Sequence, residues 1–165
     1  MIELLEVRAA EEYGVARQLF EEYARIITEH LCFQRFAEEL EALPLMYGAP
    51  TGALLLARSA GQDVGCVGIR RLDEDACEMK RLYVKPAFRG LGIGKRLVEA
   101  AVAQAQLLGY SIMRLDTLDT MAPARALYEA VGFQYRTPYN RNISEHVRHM
   151  ERALHRQAVS PGMRT

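Results

Sequence analysis

The stretch 77–110 constrains this chain most, because three kinds of local structure follow one another within it and each limits the next. Cys77-Glu78-Met79-Lys80-Arg81-Leu82-Tyr83-Val84-Lys85 alternates in the manner of a strand, and Pro86, which lacks a ladder donor, stops it. Arg89-Gly90-Leu91-Gly92-Ile93-Gly94 is a glycine-rich loop. From Gly92 or Ile93 onward, Ile93, Leu97, Val98, Ala101, Ala105 and Leu108 return at steps that draw one apolar stripe along a helix, which Gly109 closes. The predicted order is strand, loop, helix.

Alternate glycines let the backbone turn tightly and bring several N–H groups toward one point, where the new helix also aims its positive dipole end. Such a loop is a socket for phosphate, with Arg89 and Lys95 as flanking cations; a plain turn is the alternative. Three phosphate-binding patterns compete. The P-loop needs Gly where Arg89 stands and Ser or Thr where Arg96 stands, so it fails. The dinucleotide fingerprint spaces its glycines G-x-G-x-x-G, against Gly90-x-Gly92-x-Gly94 here, but Asp116 at the end of the next strand imitates its ribose-binding acid.

The third pattern, Arg/Gln-x-x-Gly-x-Gly/Ala, is satisfied by residues 89–94 after the strand ending Leu82-Tyr83-Val84-Lys85-Pro86. Here the chain resembles the GNAT superfamily of acetyl-CoA-dependent N-acetyltransferases. The resemblance continues through Met113-Arg114-Leu115-Asp116-Thr117 and Ala126-Leu127-Tyr128-Glu129-Ala130-Val131-Gly132-Phe133, close over half the chain and by element order over the rest. It implies an α/β fold of GNAT type: a single domain with a mixed, mostly antiparallel sheet, helices on both faces, and a parallel, splayed strand pair at the cofactor site. It also implies acetyl-CoA as acyl donor.

Composition bounds the remaining classes. A chain of 165 residues, half of them hydrophobic and a quarter charged, is one globular domain; we expect it over 1–156, with a disordered tail over 157–165. Lys plus Arg equals Asp plus Glu at 21 each, so no global field draws the chain to nucleic acid or anionic lipid, and neither partner is expected. Apolar runs such as Ala53-Leu54-Leu55-Leu56-Ala57 are too short to span a bilayer, and the acidic start Met1-Ile2-Glu3-Leu4-Leu5-Glu6 is unlike a signal peptide, so a cytoplasmic location is expected. Cys32, Cys66 and Cys77 read as buried reduced thiols, and His30, His146, His149 and His155 have no metal-ligand spacing; no metal is expected.

Around the central stretch, residues 2–8 read as a strand, a helix runs from Glu11 through Ile27, and a shorter one covers 34–43 with Pro44 ending it. Residues 52–59 and 63–72 form two strands joined by Ala60-Gly61-Gln62, which makes the central strand the third of an antiparallel meander. Residues 111–116 form the next strand, parallel to the central one through the intervening helix. Asp119 or Thr120 caps a last helix carrying Ala124, Leu127, Tyr128 and Val131 on its inner face, and 133–137 and 145–153 are final strands.

The resemblance distributes the chemistry. Leu82, Tyr83 and Val84 match the strand whose unpaired backbone groups meet the pantetheine arm, and a backbone N–H near Leu82 faces the thioester carbonyl. Arg89, Gly90, Leu91, Gly92, Ile93, Gly94 and Lys95 take the pyrophosphate. Tyr128 matches the tyrosine that protonates the departing thiolate; a core tyrosine is the alternative. Glu78 matches a glutamate that takes the amine proton, directly or through water, and in unbroken alternation it shares a face with Lys80, Leu82 and Val84; a structural ion pair is its alternative. The expected reaction is acetyl transfer to a primary amine of a small molecule in a ternary complex, by a monomer or homodimer. A covalent cysteine route is disfavoured because Cys77 has the opposite strand parity from Glu78. The alternative function is a non-catalytic acyl-CoA-binding sensor module.

Overall fold

The structure is a computed structural model that describes residues 1–27 and 35–155. Its order is β1 (Ile2–Glu6), α1 (Ala10–Ile26), α2 (Phe36–Glu41), α3 (Leu43–Tyr47), β2 (Ala53–Ser59), β3 (Gln62–Arg71), β4 (Ala76–Val84), a 3-10 turn (Pro86–Phe88), α4 (Ile93–Leu107), β5 (Ile112–Leu118), α5 (Ala122–Ala130), β6 (Gln134–Arg136) and β7 (Val147–Ala153). The seven strands form one sheet in the order β1-β2-β3-β4-β5-β7-β6. Every neighbouring pair is antiparallel except β4–β5, which α4 joins as a parallel crossover.

Two apolar clusters cover the sheet. On one face Ile93, Leu97 and Val98 of α4 and Tyr128 of α5 pack on Val67, Met79 and Met113. On the other, Ala16, Leu19 and Phe20 of α1 and Leu43 and Tyr47 of α3 pack on Leu54, Leu56 and Tyr83. The Tyr47 ring leaves room opposite it for a glycine alone: a Cβ on Gly68 would lie 2.7 Å from that ring.

Several predicted boundaries move for local reasons. Pro44 does not end a helix; the chain breaks at Ala42 and Pro44 enters the first turn of α3, where its missing N–H costs nothing. Gln34 lies outside the described residues, as do the predicted tail over 157–165, His30 and Cys32. The β2–β3 turn is only Ala60-Gly61, both at positive φ (48° and 79°), because Gln62 already pairs with Ser59. Neither Asp119 nor Thr120 caps α5: the residue at that position is Met121, and the Asp119 carboxylate instead pairs with Arg148 at 2.7 Å.

Candidate active site

The site begins where β4 and β5 part. They pair at only three positions, Ala76↔Ile112, Cys77↔Met113 and Glu78↔Arg114, although β4 continues to Val84 and β5 to Leu118. Beyond Glu78 the two strands form an open fork. On its other side β4 bulges against β3: Cys66 pairs with Tyr83 but Gly68 with Lys80, so one extra residue is carried on β4. Arg81, at φ +60°, absorbs it.

That conformation is unusual for a residue with a side chain, and the surroundings hold it. The Arg81 guanidinium donates to both oxygens of Glu39 on α2, at 2.8 and 3.0 Å, and lies 5.2 Å over the Phe36 ring. Both partners are buried. Burial would raise the Glu39 carboxyl, but the Arg81 hydrogen bonds and charge outweigh it and hold the group below its ordinary value of 4.5.

The bulge resets the alternation of β4. Met79, Leu82 and Val84 pack with the α4 cluster, whereas Tyr83 packs with the α1 cluster. Glu78 therefore does not share a face with Leu82 and Val84, as unbroken alternation requires; it shares one with Lys80 and Tyr83. Cys77 does lie on the face opposite Glu78. Lys85 N–H donates to Val64 on β3 at 2.8 Å, so the alternating backbone groups of Leu82 and Val84 turn toward the fork. The Val84 carbonyl there accepts from Arg89 Nε at 3.1 Å.

The fork opens into a cleft of about 540 Å³. Leu82, Tyr83, Val84, Arg89, Gly90, Gly92, Ile93 and Gly94 of the predicted set line it; Leu91 and Lys95 do not. Leu91 is exposed, and Lys95 Nζ turns to Glu99 at 3.9 Å along the helix. Gly90 and Gly92 sit at φ near +80°, with open space where a Cβ would be. Gly92 is the N-cap of α4, which has no side-chain cap and no acid in its first turn. Arg96 N–H is the first to find a helical acceptor, on Gly92. The N–H groups of Ile93, Gly94 and Lys95 are thus left for an anion at the positive end of the helix.

The cleft wall also includes residues the sequence does not single out for the site: Tyr23 and Ile26 of α1, Ile27 just after it, Met121 just before α5, and Leu127 in the second turn of α5. The spacing of Leu127 puts it on an apolar helix face, and nothing in that pattern separates a cleft wall from a core. Tyr128 does not line the open cleft. It is buried behind it, its ring edge-on to Phe133 at 6.0 Å, and burial pushes its phenol well up, with the Asp116 carboxylate adding to the effect. Burial likewise pushes the Cys77 thiol up to about 12, which keeps it protonated and unreactive.

On the α1 side of the fork lies a polar row. Register sets Arg70, Glu78, Arg114 and Glu151 abreast across β3, β4, β5 and β7. Glu78 is 1% exposed, with Oε1 on Arg70 Nε at 2.8 Å and Oε2 accepting from Tyr139 at 2.5 Å. Tyr139 comes from the β6–β7 connection, whose Asn140 also donates to Asp116 at 2.9 Å. Asp116 thus supports this loop. Among the described residues no group of three His, Cys, Asp or Glu side chains is placed to hold a metal, and no helix is long and apolar enough to cross a membrane.

Comparison with known proteins now decides the family. Residues 50–135 match the model of the acetyltransferase (GNAT) domain. The chain is 38% identical over 151 residues to an uncharacterized N-acetyltransferase of Schizosaccharomyces pombe, covering 90% of this chain and 93% of that one. This chain belongs to the GNAT acetyltransferase family. Its fold is that of a GNAT acetyltransferase from Staphylococcus aureus (TM-score 0.74, 23% identity, 94% and 100% of the chains). It is also that of a GNAT phosphinothricin acetyltransferase from Sinorhizobium meliloti in complex with AcCoA (TM-score 0.71, 19% identity, 93% and 88%). Within the GNAT frame, β4–β5 is the parallel pair of the mixed sheet.

Proposed function

We propose that this GNAT chain transfers acetyl from acetyl-CoA to the primary amine of a small molecule, by direct attack within a ternary complex. The fork carries the reading: an apolar-walled cleft joins the strand groups of Leu82 and the Val84 N–H, which turn away from β3, to a free helix N-terminus at Ile93. A long donor with a hydrogen-bonding arm and a pyrophosphate suits both ends, and a structural neighbour is in complex with AcCoA.

The thioester supplies an acetyl group already activated toward amines. The chain supplies the rest. Gly90, Gly92 and the first N–H groups of α4 hold the pyrophosphate, with Arg89 beside them. The Leu82 N–H stabilises negative charge that grows on the carbonyl oxygen. We assign the proton for the departing thiolate to Tyr128, which burial keeps protonated; it stands behind the cleft wall, so its hydroxyl must turn into the fork to deliver it. Glu78 cannot meet the amine directly, since both oxygens are engaged and the group is buried; the proton reaches it through the Tyr139 hydroxyl. The buried free thiols of Cys66 and Cys77 support the assignment to a reducing cytoplasm.

Thiol release from acetyl-CoA over a panel of amino acids, polyamines, aminoglycosides and basic peptides tests this, each against an amine-free blank. Release that depends on one small-amine class is expected. Acetyl-CoA binding with no release above the blank overturns it in favour of an acyl-CoA-binding sensor.

A further inference from the structure

We propose that the acceptor carries a carboxylate close to its amine, and that the guanidinium ends of Arg70 and Arg114 receive it. This rests on the acetyl-transfer reading above and adds the class of acceptor.

Arg70 and Arg114 stand on either side of Glu78 at the last rung where β4 and β5 still pair, immediately before the fork opens. Neighbouring strands lie about 4.8 Å apart, so the two arginines flank Glu78 at about 10 Å between their Cα atoms. Each donates a hydrogen bond from Nε: Arg70 to Glu78 at 2.8 Å, Arg114 to Glu151 at 2.9 Å. Among the described residues their Nη atoms donate no hydrogen bond. An unused guanidinium end presents two parallel N–H groups, the geometry that a carboxylate matches.

Charge balance points the same way. Arg70 and Lys80 share Glu78, and Arg114 and Arg136 share Glu151, so four cations stand over two carboxylates. Asp116, the next acid on this face, is hydrogen-bonded to Asn140 and Asn142. The arginines are partly withdrawn from water, at 33% and 22% side-chain exposure, where excess positive charge is poorly compensated. Tyr139 joins the two halves: its hydroxyl is on Glu78 and the Arg114 guanidinium lies 5.9 Å over its ring. A carboxylate at the arginines sets a neighbouring amine beside the Tyr139 hydroxyl, facing the fork.

The test compares free amino acids with their carboxamides and with the amines lacking that carbon, using thiol release from acetyl-CoA by the full chain. We expect kcat/KM at least tenfold higher with the carboxylate present. In Arg114→Gln, where Arg136 still holds Glu151, and in Arg70→Lys, which keeps Glu78 paired, the carboxylate-to-carboxamide ratio should fall tenfold. Equal rates with and without the carboxylate overturn the proposal and leave N-acetyl transfer standing. A ratio unmoved in folded variants also overturns it. Absence of amine-dependent release from every compound removes the acetyl-transfer reading, and this one with it.

Discussion

The bulge in β4 stands or falls with one buried ion pair, so Glu39→Leu is the most informative perturbation of the frame. Arg81 occupies a left-handed conformation that costs a residue with a Cβ about 1–2 kcal/mol. Its guanidinium and the Glu39 carboxylate are 4% and 7% exposed. Removing the carboxylate strands a buried cation, a loss of about 3–5 kcal/mol. For a domain of this length each kcal/mol moves the midpoint about 2–4 °C, so thermal unfolding followed by far-UV circular dichroism should fall by roughly 6–20 °C. Combining Glu39→Leu with Arg81→Met removes the stranded charge and should recover most of the loss. Because the folded Glu39 carboxyl lies below its unfolded value, the pair's contribution is complete above pH 4.5 and is lost as pH falls through the folded value. Glu39→Gln should therefore flatten the acid limb of the stability profile. A single variant costing under about 1 kcal/mol, or a double variant losing the sum of its singles, would refute the claim that this pair pins the bulge.

Three further outcomes are expected. Tyr128→Phe should leave acetyl-CoA affinity nearly unchanged by calorimetry and lower turnover about a hundredfold or more; unchanged turnover would remove Tyr128 from the mechanism. Gly92→Val should abolish acetyl-CoA binding with the fold retained by circular dichroism, since it forces a β-branched residue to φ +79° and places its Cβ in the anion socket; normal affinity would displace the phosphate from this loop. Cys66 and Cys77 should resist alkylation in the folded chain at pH 8 and react on unfolding, because both are buried and burial raises both thiols; rapid labelling would contradict the packing around them.

The parts legible in the sequence are those whose signal is local. Alternation, a glycine run and a helical stripe lie consecutively in 77–110, so strand, socket and helix could be ordered without any long-range contact. The inward turn of Tyr128 followed from its place among Ala124, Leu127 and Val131, while its role came from family resemblance. Bulge and fork left no such mark. A positive φ at an arginine has no compositional signature, and its cause lies 42 residues away in Glu39. That one extra residue moved Leu82 and Val84 to the face opposite Glu78. One partner of Glu78 is more distant still: Tyr139 is 61 residues on, and it arrives because β7 inserts between β5 and β6. The charge row is written by strand register, which periodicity alone does not fix.

Amide exchange measured by NMR with and without acetyl-CoA probes the donor site at the level of single backbone N–H groups. Exchange at Leu82, Val84, Ile93, Gly94 and Lys95 should slow on binding while the paired amides of β1 and β2 are unchanged. Protection confined to other segments, or none at these five under saturating acetyl-CoA, would contradict the assignment of the fork and the α4 terminus as the donor site.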